Sequence, residues 1–279
     1  MVMKRHKRIA ASATTYIFLI IALVWTIFPV YWMIKSSITV NSEMYVARPS
    51  LIAKHYTFEN YVDLFTKTEF PRALLNSLMI AFLTTVCCLL ISILGSYAMT
   101  RLKYPGRRFF KTSIIFSYLI PTAVLFVPMY VFVSKLGFYD NKWALLIIYP
   151  TTVVPYCCYM LMSYFKAIPY ALEEAALIDG CTRMKSLKYI ITPIALPGIA
   201  VVATFAFTMS WNEYLYAMIM TTSPVQQTAV VAISSFKYAD SAIWGRIMAA
   251  SVLTSLPVTI IYIVAQAQLI SGKSDGSVK

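Results

Sequence analysis

Six stretches of this chain, residues 15–34, 74–99, 112–133, 143–165, 193–209 and 247–270, run for 17 to 26 residues without Asp, Glu, Lys or Arg. A helix needs roughly 20 apolar residues to cross a bilayer. In hydrocarbon every backbone N–H and C=O must be paired within the element, so such spans fold as α-helices. The pattern predicts an all-α polytopic membrane protein with six transmembrane helices. The fifth run is the shortest, and its helix is expected to begin a few residues before Pro193. The first run follows Lys4, Arg5, Lys7 and Arg8, the basic flank of a signal peptide. It is too long for one, however, and Val30-Tyr31-Trp32-Met33 offers no small-residue cleavage site. It reads as an uncleaved span. The chain divides into a basic tail at 1–14, a span region at 15–270 and a tail at 271–279.

Prolines punctuate five of the six runs: Pro29, Pro121, Pro128, Pro150, Pro155, Pro193, Pro197 and Pro257. Each removes a backbone hydrogen bond and can bend its helix. A bent helix lining a path would use this property. Proline is also simply commoner in membrane helices than in soluble ones.

Composition agrees with the pattern. Hydrophobic residues make up 59% and charged residues 13%, far from a soluble domain. A net charge of +13 in a soluble chain would raise nucleic acid as a partner. In a chain of spans it marks cytoplasmic loops lying against anionic lipid, and nucleic acid is not expected. With six alternating spans and the N-terminus inside, segments 1–14, 100–111, 166–192 and 271–279 carry +11 over 62 residues. The other side carries +2 over 85. Arg101, Lys103, Arg107, Arg108 and Lys111 form the densest cluster. The positive-inside rule places both termini and the 166–192 loop in the cytoplasm, in a protein of the cell membrane.

That loop breaks the pattern. It holds Glu173, Glu174 and Asp179, three of only eleven acids in the chain. Pro169 suits the first turn of a helix, and both glutamates lie near the positive end of its dipole. Leu172 and Ala175 to Ile178 extend the helix, and Gly180 can end it in a left-handed conformation. Thr182 can cap a second helix from Met184 to Ile191, which runs into Pro193. The result is a helix–turn–helix elbow whose short first helix is marginal alone in water and needs bracing. A helix resting on lipid presents Lys and Arg on its polar face. This one presents two glutamates, which favours docking on a protein partner. Ala175 and Ala176 allow close approach, and Glu174 offers a bidentate acceptor to an Arg.

Proton- or sodium-driven carriers usually keep ionisable groups within their spans. The six runs have none, so energy is expected to enter from outside the membrane, through the acidic elbow. Sodium sites built from carbonyls escape this test, and a secondary transporter or channel without an ATPase is the alternative. Gly272-Lys273-Ser274 resembles the end of a phosphate-binding loop. Ala267 stands where its first glycine belongs, and a membrane helix precedes it instead of a strand. Cys87-Cys88 and Cys157-Cys158 lie inside apolar runs and Cys181 in a loop, without metal-ligand spacing. His6 and His55 fall in loops as solvated side chains. No catalytic residue, metal site or bound cofactor is expected of this chain.

Glu174-Ala175-Ala176, Asp179-Gly180, Ile190 and Pro193 together resemble the EAA loop of ABC-importer membrane subunits, with Thr192 where the pattern has Leu. Trp211-Asn212-Glu213-Tyr214, Trp244-Gly245-Arg246-Ile247-Met248-Ala249-Ala250-Ser251, Leu256-Pro257, Gln266 to Gly272 and Gly276-Ser277-Val278-Lys279 extend the likeness. Together they are similar to the second, shorter permease subunit of carbohydrate importers of the maltose-transporter type. The resemblance implies a subunit that pairs with a homologous permease to form a translocation path. It implies that the elbow (Glu174, Ala175, Ala176, Asp179, Gly180) acts as a cytoplasmic coupling helix on one of two ATPase subunits, where Glu174 meets an Arg. ATP and Mg would be held by those partners. A solute-binding protein would dock outside, near residues 221–240. The solute would be a carbohydrate. Glycerol phosphate is the non-sugar alternative, and the nearly neutral outer side offers no basic cluster for it. Trp211 and Asn212 are candidates for the solute path, by analogy with sugar pockets that combine aromatic faces and polar groups.

Overall fold

The computed structural model describes residues 2–236 and 244–274, with side chains for 15–236 and 244–266. All six apolar runs fall in helices. Four are continuous and long enough to cross a membrane: Thr15–Ser37, Phe70–Arg101, Lys142–Ala167 and Trp244–Gln266. The other two are bent pairs, Arg107–Leu119 with Thr122–Lys135 at 99° and Arg183–Ile194 with Leu196–Trp211 at 82°. No β-strand occurs among the described residues, only an isolated bridge between Thr39 and Tyr56.

Chain packing divides the molecule into two compact units, so the 15–270 span region is shared between them. The first comprises residues 1–68 and 235–253. It contains α1 (Val2–Ser37), α2 (Glu59–Thr66) and the first turns of a long final helix that starts at Trp244. Helix α1 absorbs the basic tail and His6, which the sequence placed in a loop. Residues 15–31 are exposed on every side of α1. A helix apolar all round has no face for water, so this one is built for lipid or protein cover. The loop after α1 is fastened by polar contacts. Asn60 Nδ2 donates to Ser37 O at 3.0 Å and Thr39 O at 3.1 Å. Glu43 accepts from the Lys54 and His55 amides at 3.0 Å, and His55 Nδ1 lies 2.7 Å away. His55 is thus exposed, as expected, but partnered. The Arg246 guanidinium reaches Asp63 at 3.0 Å and Lys67 reaches it at 2.8 Å. Both Glu43 and Asp63 titrate below their ordinary values. The Lys54 amide followed by His55 holds Glu43 down, and Lys67 followed by Arg246 holds Asp63 down.

The second unit comprises residues 69–234 and 254–279. Its helices are α3 (Phe70–Arg101), α4 (Arg107–Leu119), α5 (Thr122–Lys135), α6 (Leu145–Ala167), α7 (Tyr170–Ile178), α8 (Arg183–Ile194), α9 (Leu196–Trp211), α10 (Leu215–Met220) and α11 (Ala229–Ser235). The final helix, α12 (Trp244–Ser274), contributes its later turns. The core packs α3 against α6, α8 and α9 through Cys88, Val153, Cys157, Leu161, Phe165, Ile191 and Val202. Cys88, Cys157 and Cys158 are buried small residues, as expected, whereas Cys87 is exposed. Gly198 lets α9 cross close over α6, since a Cβ there would stand 2.4 Å from the Tyr164 ring.

Only some prolines break their helices. Pro29, Pro128, Pro150, Pro155 and Pro257 sit inside continuous helices. Pro121 stands at the α4–α5 break, and the residue before it, Ile120, is extended, as sterics before proline favour. Pro193 and Pro197 flank the break at Ala195. Residues Leu187–Ile191 ahead of it widen into a π-turn, a common device where the hydrogen-bond ladder is disturbed. The fifth span is therefore helical well before Pro193, but its first part is turned away from its second.

Candidate functional site

The elbow forms much as its residues dictate. Pro169 stands at the N-cap of α7, one position ahead of the expected first turn. Gly180 ends the helix with φ +84°, where a side chain would be strained. The Cys181 amide returns to Ala176 O at 2.9 Å, closing the last turn. Thr182 Oγ1 accepts from the Lys185 amide at 3.3 Å and starts α8.

The five sequence candidates share α7 and its turn but not one environment. Glu174, Ala175, Asp179 and Gly180 are exposed, whereas Ala176 is buried. Ile178, at 86% exposure, stands on the open surface beside them. No hydrogen bond or ion pair engages Glu174 among the described residues. The neighbouring Glu173 behaves in the opposite way. It is 5% exposed, its Oε1 accepts from the Tyr97 hydroxyl at 2.5 Å, and its Oε2 lies 3.8 Å from Arg101 Nε.

Arg101 is the last residue of α3 and joins three elements. Its Nη2 donates to Phe165 O at 2.5 Å and Ile168 O at 2.6 Å, at the end of α6. Its guanidinium stacks 4.2 Å above the Tyr170 ring, in the first turn of α7. The Tyr170 hydroxyl donates to Thr100 O at 2.6 Å. Arg107 covers the remaining carbonyls at the end of α3, Met99, Thr100 and Leu102, at 2.9 to 3.0 Å. Free helix-end carbonyls need such partners. In sequence these arginines look like loop charge alone, and Glu173 does not stand apart from Glu174. Helical geometry carries a clue: residues one apart point about 100° apart, so adjacent glutamates cannot share one face. A cleft of about 740 Å³ opens beside this hub, lined by Arg101, Lys103, Tyr170, Glu173, Glu174 and Arg183.

At the opposite ends of α3 and α6, side chains knot the 221–228 segment in place. Asn76 Nδ2 donates to Val225 O at 3.1 Å and Gln227 O at 2.9 Å, and Lys142 Nζ donates to Asn76 Oδ1 at 2.7 Å. Asp140 accepts from the Ser223 hydroxyl and amide, bonds that hold its carboxyl below the usual range. Residues 237–240 of the 221–240 segment lie outside the described residues, as do Gly276 to Lys279.

Between these two ends α9 stops at Trp211, and the chain turns before α10. The Glu213 carboxylate accepts from the amides of Leu215, Tyr216 and Ala217 at 3.0 to 3.1 Å, capping α10. A cavity of about 370 Å³ lies at this break, lined by Thr122, Tyr149, Thr152, Thr208, Asn212 and Glu213 among others. Asn212 is exposed and faces it. Trp211 is not on its wall. It is 2% exposed, stacks on Phe207 at 5.5 Å and donates its Nε1–H to Thr254 O at 3.1 Å.

Comparison with known proteins adds the following. A family model described as "Binding-protein-dependent transport system inner membrane component" matches residues 91–273. The chain is 35% identical over 279 residues to the inner membrane ABC transporter permease protein YcjP of Escherichia coli, covering 99% of this chain and 100% of that one. It is 33% identical over 256 residues to the trehalose/maltose transport system permease protein MalG of Thermococcus litoralis, covering 91% of each. Its fold is similar to a chain in the crystal structure of a bacterial ABC transporter involved in the import of the acidic polysaccharide alginate. That likeness has a TM-score of 0.81 at 21% identity and covers 92% of this chain and 95% of that one.

Proposed function

The chain belongs to the family of binding-protein-dependent transport system inner membrane components, and we propose that it is one of two permease subunits of an ATP-driven carbohydrate importer. It would form half of the translocation path with a homologous permease. Two ATPase subunits would dock below and hold ATP and Mg, and a solute-binding protein would dock above. This chain itself would bind no cofactor and catalyse no reaction. The charge asymmetry supports cytoplasmic termini and a cytoplasmic elbow. The carbohydrate reading draws on a relative whose name specifies trehalose and maltose.

One observation carries the coupling role: the outward face of α7 presents an unengaged carboxylate, Glu174, beside exposed Ala175 and Ile178. An acid flanked by bare apolar surface suits a groove that offers an Arg and apolar walls. Closure of the ATPase pair would draw this face inward and tilt the spans. The cavity at the α9–α10 break supports Asn212 as a solute-path residue. Trp211, locked to Thr254, would hold the break that presents Asn212.

Glu174→Ala tests the reading. Stranding the partner's charge in the interface costs about 3–5 kcal/mol, so ATPase subunits should be largely lost on co-purification and uptake should cease. Normal assembly and normal uptake would remove Glu174 from the mechanism. Uptake by this chain alone in ATP-free liposomes would favour an autonomous carrier instead.

A further inference from the structure

We propose that Glu173 is a positioning residue of the transport cycle, tying the elbow to the ends of α3 and α6 so that displacement of the elbow moves both spans. The inference rests on the elbow being the coupling element, and it divides labour between two adjacent acids: Glu174 docks and Glu173 transmits.

The geometry is that of a strut. Glu173 is buried, with one oxygen bonded to Tyr97 on α3 at 2.5 Å and the other facing Arg101 at 3.8 Å. The same Arg101 holds the Phe165 and Ile168 carbonyls at the end of α6. One carboxylate and one guanidinium therefore connect three helices. Tyr170, three residues before Glu173 and on the same helical face, adds a second tie through Thr100 O at 2.6 Å and the ring stack at 4.2 Å. Two ties on one face oppose rotation of α7 about a single contact. At its other end α7 stops at Gly180, which has no atom within 4 Å of a built Cβ.

Stability alone is a poor reason for this arrangement. A buried ion pair is often replaceable by apolar side chains without loss, whereas a charged pair with set partners defines geometry. An apolar residue at 173 would allow α7 to slide. A carboxylate hydrogen-bonded to Tyr97 and held by charge attraction to Arg101 at 3.8 Å resists it.

The test uses the assembled transporter in proteoliposomes, with ATP hydrolysis and solute uptake measured on the same vesicles. Glu173→Gln keeps shape and one acceptor but removes the charge facing Arg101. ATPase subunits should co-purify at the unmodified level and hydrolysis should stay within about twofold, while uptake per ATP falls at least fivefold. Tyr97→Phe removes one hydrogen bond and keeps the ring, so it should lower the same ratio by a smaller factor. The double variant should fall further than Glu173→Gln alone but by less than the two single factors multiplied, because the two side chains are in contact and their effects couple. Should Glu173→Gln fail to accumulate, Tyr97→Phe decides. Unchanged uptake per ATP in the assembled variants overturns the proposal. So does loss of the ATPase subunits from Glu173→Gln, which would make Glu173 a docking residue. Failure of the parent reading looks different: Glu174→Ala would then leave ATPase binding intact.

Discussion

Replacing Arg101 with Met keeps most of the side-chain volume and removes the guanidinium donors from the hub. The Glu173 carboxylate, 5% exposed, is left with Tyr97 alone. Breaking a buried pair from one side costs about 3–5 kcal/mol. The Ile168 carbonyl also loses its Arg101 donor, at about 1–3 kcal/mol for a group left unsatisfied, while the Phe165 carbonyl keeps the Ile168 amide at 3.3 Å. These losses do not add in full, because the cleft beside the hub is about 740 Å³ and admits water to part of it. A net loss of about 4 kcal/mol is expected. At roughly 2–4 °C per kcal/mol for a chain of this size, the detergent-solubilised protein should melt roughly 10 °C lower, followed by tryptophan fluorescence. Arg101→Met combined with Glu173→Met should recover about half of the fall, since no charge is then stranded while the Ile168 carbonyl stays uncovered. A melting temperature within 2 °C of the unmodified chain in the single variant would refute the reasoning. So would a double variant worse than the single.

Two further outcomes follow from packing and charge. Gly198→Ala places a Cβ 2.4 Å from the Tyr164 ring, forcing α9 and α6 apart at a cost of about 1–3 kcal/mol; trimming the obstacle with Tyr164→Ala should relieve much of the strain, and an unshifted melting temperature in the single variant would show that the ring simply turns aside. Asp63 titrates below its ordinary value because of Lys67 and then Arg246, so its contribution to stability is present above the ordinary carboxylate range, about pH 4, and is lost as pH falls through the depressed value; Asp63→Asn should melt below the unmodified chain at pH 7, and a gap that stayed constant down to pH 3 would rule out the carboxylate.

Much of the elbow was legible because its signals are local. Gly180 needs a left-handed conformation that only its lack of Cβ makes easy, and Thr182 carries a capping oxygen. Glu173 was not separable from Glu174 in one dimension, because burial is decided by Tyr97 and Arg101, which lie 76 and 72 positions away in the chain. Trp211 reads in sequence as an aromatic surface for a solute. In space its ring and its N–H are already occupied by Phe207 and Thr254. Asn212, one residue on, faces the cavity.

The sequence alone determined that the apolar runs are helices, because backbone groups in lipid must be paired within the element; that two of the six runs are bent pairs, at 99° and 82°, was decided by the tertiary structure. The sequence likewise determined the charge asymmetry and the elbow, which follow from composition and local caps. Which prolines break a helix was decided only by the tertiary structure: Pro121 and the pair flanking Ala195 do, while Pro150 and Pro155 do not. Each proline forfeits the same hydrogen bond, and the surrounding packing settles whether the helix bends around the loss or stops. Tertiary structure also turned a cluster of loop arginines into a junction, because a helix end exposes carbonyls that draw in donors from wherever the fold brings them.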